Sequence, residues 1–157
     1  MPNGIECDVA VTPGQTVTVG RGHLEVGDTR LLPGPLWEPV PRVRVRPPAS
    51  RGPAPDPLAL AGRGEGLTPA GDDVLIGYAA GLVLFHGRRA EARGIAETAA
   101  PLTTALSVTL LRHAAEGELP EPAHALLELG DAEPLLRFGH SSGRAILAGL
   151  AVAAAES

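Results

Sequence analysis

GEGLTPAGDDVLIGYAAGLVLF, residues 64–85, is a glycine-rich turn that runs straight into the most apolar stretch of the chain. Thr68 has a hydroxyl suited to an N-cap. Pro69 suits the first helical position, where its missing N–H costs no bond, so a helix is expected from Pro69 to Phe85. Gly64, Gly66 and Gly71 let backbone approach a neighbouring group closely. Asp72 and Asp73 fall in or just past the first turn, where carboxylates complement the helix dipole. The 12 residues from Val74 to Phe85 carry no charge. Twelve is short of the roughly 20 needed to span a bilayer, so the helix is expected in a protein core and no membrane association is expected.

A second stretch echoes the first. Aligning Gly71 with Gly143 pairs AGDDVLIGYAAGL (70–82) with SGRAILAGLAVAA (142–154) and matches Leu75 with Leu147 and Gly77 with Gly149. Asp73, Gly77 and Gly81 share one helix face, as do Ala145, Gly149 and Ala153, and small residues on such stripes permit close helix approach. Both segments look too apolar all round to lie on a surface, so two central helices are expected. Asp72 is about 100° round the helix from Asp73, so the two acids need not form one site.

Outward from this pair, further helices are expected at Arg89–Ala99, Pro101–Ala115, Pro122–Leu129, a short turn from Asp131 to Arg137, and Ser142–Ala155. Upstream, IECDVAV, TVTV at 16–19, HLEV at 23–26 and RVRV at 42–45 read as strands, with Gly27-Asp28 making a hairpin. Residues 46–57, RPPASRGPAPDP, read as an exposed Pro-rich linker or mobile loop. Strands first and helices afterwards imply an α+β fold. One domain, 1–157, is expected, with a small antiparallel β part over 1–45 and a helical part over 58–157 holding two central glycine-containing apolar helices.

Composition narrows the function. The formal charge is −5, the 13 basic residues are all arginine, and aromatic residues are 3% of the chain. No basic cluster or stacking platform is present, which argues against nucleic acid. Without lysine, Schiff-base chemistry and a P-loop lysine are excluded. Cys7 is the only cysteine, so neither an intramolecular disulfide nor a cysteine zinc site is expected. The N-terminus has no signal-peptide pattern, and a cytoplasmic location is expected.

The motifs point to a small ligand. GEGLTPAGDD offers free N–H groups and a dipole to an anion, while its two carboxylates would need a divalent cation between them and a phosphate. Mg²⁺ held by Asp72 and Asp73 is the metal reading, since Mg²⁺ takes oxygen ligands. The bland alternative is a capped helix with acidic first-turn residues. In FGHSSG (138–143), His140 and Ser141 are the pair to test for nucleophile and base, against the simpler reading of a serine N-cap. Ser142, Gly143 and Arg144 suit a carboxylate or phosphate, for which arginine offers a planar fork. Thr103 and Ser107 either bond back to helix carbonyls or line a polar cavity. Arg112 and His113 are accounted for by a helix C-terminus.

Taken together and in this order, GEGLTPAGDDVLIGYAAGL, TTALSVTLLRHAAEGELPEPAHALL and FGHSSGRAILAGL resemble the family of the small, AllH-type subunit of oxamate carbamoyltransferase, over roughly residues 37–155. The resemblance implies carbamoyl transfer between oxalurate and phosphate inside a complex with other subunits. It also implies a site drawn from Gly66, Thr68, Gly71, Asp72 and Asp73 in the first block and His140, Ser141, Ser142 and Gly143 in the second. The expectation is therefore a small anionic carbamoyl or phosphate ligand at two converging glycine-led helix N-termini. Asp73 would bind Mg²⁺ or position a proton, and Gly66, Thr68, Gly71, Ser142, Gly143 and Arg144 would bind the ligand. The partners expected are other subunits or a second copy. A non-catalytic binding or assembly subunit is the first alternative, and a Mg²⁺-dependent hydrolase the second.

Overall fold

The computed structural model describes residues 12–20, 22–31 and 37–156. They fall into two compact units, one within Asn3–Glu38 and the other over Pro39–Ser157. The first unit is a three-stranded antiparallel meander of β1 (Val17–Gly20), β2 (His23–Val26) and β3 (Thr29–Leu31). Val17 faces Val26 across the first pairing and Leu24 faces Leu31 across the second. The expected Gly27-Asp28 hairpin forms, because Gly27 takes a left-handed φ of 57° that the two-residue turn requires. Cross-strand neighbours Glu25 and Arg30 pair at 2.7 Å. The strand expected at IECDVAV lies outside the described residues.

The second unit is helical: α1 (Pro57–Leu60), α2 (Ala70–His86), α3 (Arg89–Ala99), α4 (Ala105–Ala114), α5 (Glu121–Leu129), α6 (Glu133–Leu136) and α7 (Ser142–Ala153). The α+β reading holds. Three local expectations do not. RVRV (42–45) is not a strand, since the backbone N–H groups of Arg44 and Val45 both donate to the Leu127 carbonyl at the end of α5. Prolines at 39, 41, 47 and 48 deprive the segment of ladder donors, and half-buried Val43 packs on the helical core instead. The helix expected over 101–115 is broken. Ala100–Leu102 forms a 3-10 turn, Thr103 is extended, and Thr104 starts α4 by accepting a bond from the Ser107 N–H. Finally, α2 begins at Ala70 with Pro69 as its cap residue and no side-chain cap. The Thr68 hydroxyl points instead toward Asp73.

α2 is the centre of this unit: 13 of its 17 residues are buried, and acids in its first turn are among them. α7 crosses it on a single stripe made by Gly143, Ile146, Gly149, Leu150 and Ala153, while Arg144 and Ala148 are exposed. The expectation of two helices buried on every side is thus met by α2 alone. α7 tolerates its outer face because that face mixes Arg144 and Ser142 with small alanines at 145, 148 and 151. At the crossing a methyl group on Gly77 would overlap the Ile146 carbonyl of α7, and one on Gly149 would overlap the Val74 carbonyl of α2. The paired glycines therefore let the two backbones touch, each helix taking the other's carbonyl.

The approach to each of these helices is also repeated. Asp56 caps α1 by accepting from the Leu58 N–H, and Asp131 accepts from the Glu133 N–H at the start of α6. Each short helix then ends above a glycine of the next long helix. The Gly71 N–H donates to Arg63 and lies under the Leu60 carbonyl; the Gly143 N–H donates to Phe138 and lies under the Leu135 carbonyl. The same short helix, turn and glycine-led helix thus occur twice.

The segment 46–57 is tethered as well as exposed. Arg46 donates to the Phe85 carbonyl at 2.9 Å and lies over the Phe85 ring, and the Ser50 N–H donates to Ala151.

Candidate functional site

The turns before α2 and α7 converge. Thr68 Oγ1 lies 3.5 Å from Asp73 Oδ2 and 3.5 Å from Ser142 Oγ. These three oxygens sit on a cleft of about 190 Å³ whose remaining lining includes Ile76, Leu110, Leu119, Pro120, Phe138 and Ile146, together with His113 and Glu118. Separations of 3.5 Å are at the long limit of hydrogen bonding, so the three groups do not saturate one another. A ligand N–H or carbonyl placed among them gains partners without breaking a strong bond.

Asp73 is 2% exposed. Burial pushes its carboxyl above the usual carboxylate range; bonds from Ser142 and Thr68 pull it back, and the Asp72 charge adds to the rise. Desolvation outweighs the hydroxyl donors, which makes Asp73 a carboxylate held at a cost to the folded chain and available for a proton or a donor. Asp72 is equally buried but otherwise employed. One of its oxygens accepts from the Gly62 N–H at 2.8 Å and the other accepts from the Thr103 hydroxyl. It fastens the turn after α1 and the start of the α4 segment to α2. Its carboxylate does not line the cleft.

Of the residues singled out in the sequence, Thr68, Asp73 and Ser142 are brought together. Gly71 and Gly143 lie beneath the carbonyls of Leu60 and Leu135, where they serve close packing. Gly66, His140, Ser141 and Arg144 are exposed and do not line the cleft. Among the described residues no group of three or more His, Cys, Asp or Glu side chains is placed to hold a metal ion. Ser107 is buried and faces the Thr104 hydroxyl at 3.2 Å.

Two cleft residues escape a reading of the sequence that stops at the helix dipole: His113 and Glu118. His113 Nδ1 lies 2.6 Å from Glu118 Oε2. The signal that finds them is HAAEGE (113–118). Gly117 adopts a left-handed φ of 88°, and the N–H groups of Glu116 and Glu118 both return to the His113 carbonyl, which folds Glu118 back over the ring.

A small β unit and a helical unit whose two glycine-led helices meet over a buried acid and two hydroxyls define a class: an α+β protein with a ligand-sized cleft at paired helix N-termini. The model of the family described as oxamate carbamoyltransferase subunit AllH matches residues 60–154, and the chain belongs to that family. The matched span runs from the end of α1 to the residue after α7 and contains the whole cleft. Searches of curated proteins and of solved structures return no match. Among the described residues no helix is long and apolar enough to cross a membrane.

Proposed function

We propose that the chain works as a subunit in carbamoyl transfer and that its cleft binds the carbamoyl end of a small substrate. The family supports the reaction class, and the cluster of Thr68, Asp73 and Ser142 in a largely apolar cleft is the observation that carries the site. A carbamoyl group has two N–H donors on one side and a carbonyl acceptor on the other. The Asp73 carboxylate accepts an N–H, and the hydroxyls of Thr68 and Ser142 donate to the carbonyl oxygen. The apolar walls exclude water and strengthen both sets of bonds. A phosphate or carboxylate in the same place would face Asp73 and Glu118, so the anionic end of the substrate lies toward the cleft mouth. The N-termini of α2 and α7, whose preceding turns converge at the cleft, favour negative charge.

The test is thermal unfolding of the full chain with oxalurate, oxamate and carbamoyl phosphate, alone and with Asp73→Asn. A ligand present at 100 times its Kd raises Tm by roughly 5–10 °C for a chain of this size. Asp73→Asn abolishes that rise while remaining folded. If none of these compounds shifts the wild-type chain, the cleft is not a carbamoyl site and assembly is the function left to this subunit.

A further inference from the structure

The hydrogen bond between His113 and Glu118 in the cleft wall closes the end of α4, and its geometry also bears on catalysis. Glu118 Oε2 is 2.6 Å from His113 Nδ1, and both side chains are partly buried, at 24% and 35% exposure. A carboxylate only accepts, so the proton in this bond belongs to Nδ1. Nε2 is then the ring nitrogen left to meet a ligand, a lone pair when the ring is neutral and an N–H when it is protonated. The orientation is held from both sides. The Glu118 N–H returns to the His113 carbonyl, and the next residue, Leu119, donates to the Pro39 carbonyl. His113 and Glu118 line the same cleft as Asp73, Thr68 and Ser142.

We infer that His113, oriented by Glu118, is the proton-transfer residue of this cleft and serves an N-carbamoyl amide whose carbamoyl group passes to phosphate. This rests on the carbamoyl-binding reading of the cleft. In the step, a phosphate oxygen forms a bond to the carbamoyl carbon and the bond from that carbon to the amide nitrogen breaks. The proton on the attacking hydrogen phosphate passes to Nε2, and Nε2 gives it to the departing amide nitrogen, which leaves as a neutral primary amide. The ring ends neutral, no electron is lost or gained, and the total charge is unchanged. Amide nitrogen is a poor leaving group without that proton, so the step needs an acid beside it. Asp73 holds the carbamoyl group, His113 touches the bonds that change, and Glu118 is a positioning residue.

The experiment has two arms. In the first, the full chain carrying ¹⁵N-labelled histidine is titrated with oxalurate while its thermal shift is recorded. The Nε2 resonance of His113 is expected to move with binding, and H113Q is expected to keep the ligand-dependent rise in Tm. In the second, transfer to phosphate is measured in the complex assembled with its partner subunits. H113Q is expected to lower kcat by about a hundredfold or more, the range of general acid–base catalysis. KM stays within about threefold, which separates a proton-transfer role from binding. E118Q gives a smaller loss with a displaced pH–rate profile, and added imidazole partly restores H113G. A wild-type chain that binds oxalurate through Asp73 while the His113 resonance stands still and H113Q keeps its kcat overturns the dyad and leaves the binding site intact. A wild-type chain that binds no carbamoyl compound overturns both.

Discussion

Leu60 and Leu135 do the same thing in two halves of the helical unit: each sets its carbonyl over the glycine that leads a long helix, after a short helix whose first N–H groups include one bonded to an aspartate. The residues after the glycine differ. On α2 they are Asp72 and Asp73, both buried; on α7 they are Arg144 and Ala145, exposed and half-buried. The connecting turn differs too, running from Arg63 to Gly71 in one half and over the shorter interval from Phe138 to Gly143 in the other. The longer turn carries Thr68 into the cleft. The repeated scaffold thus brings two helix starts together, while the acid and most of the added loop that make a site belong to one of them. The second half contributes a hydroxyl, Ser142, and an apolar wall.

The largest effects come from breaking the shared scaffold. Gly77→Ala and Gly149→Ala each push a methyl group into a backbone carbonyl across the α2–α7 crossing, where no side chain can turn aside. Each is expected to cost about 3 kcal/mol, the upper part of the overpacking range, read as a lowered urea midpoint. Gly71→Ala and Gly143→Ala meet the Leu60 and Leu135 carbonyls in the same way, and their losses should be similar to each other. A chain that tolerates one of these two and not the other does not have equivalent halves.

Next comes the contrast within the first half. Asp72→Ala strands the Gly62 N–H and the Thr103 hydroxyl, and a loss of about 2 kcal/mol is expected in the same denaturation assay. Asp73→Asn goes the other way, raising stability at neutral pH by about 1 kcal/mol, because a neutral amide replaces a desolvated carboxylate. Two variants with losses of equal sign would erase the distinction between an acid that fastens the scaffold and an acid that faces the cleft.

The smallest effect is the pH dependence of that gain. The folded-state pKa of Asp73 lies above its ordinary 3.8, because burial disfavours the charge. The folded chain therefore binds its proton more tightly than the unfolded chain does. Stability from this group is present below the unfolded pKa and is lost as pH rises through the folded pKa. The advantage of Asp73→Asn should be full near neutrality, shrink on acidification and vanish below about pH 3.8, as followed by urea midpoints at each pH. An advantage that stays constant with pH would mean that Asp73 is not desolvated.

Much of this was legible in the chain. The uncharged run from Val74 to Phe85 identified α2 as a core helix, the matched glycines at 77 and 149 announced the crossing, and the 100° between Asp72 and Asp73 pointed their side chains apart. These are local properties of spacing and side-chain type. RVRV shows the limit: its alternation suits a strand, yet with prolines around it a carbonyl at the end of α5 was a better partner than any strand. His113 shows another, since a histidine at a helix end satisfies the dipole whether or not it also lines a cleft.

By itself, then, the sequence determined which helices are apolar, where backbone must come close and which family the motifs resemble, because residue size, charge and period are written at each position. Only the tertiary structure decided that Thr68 meets Asp73 and Ser142, that Asp72 is spent on Gly62 and Thr103, and that Glu118 turns back to His113 in the same cleft. Thr68 and Ser142 lie far apart in the chain, and which distant hydroxyl a buried carboxylate finds depends on how the helices cross, which in this unit is set by glycines touching carbonyls.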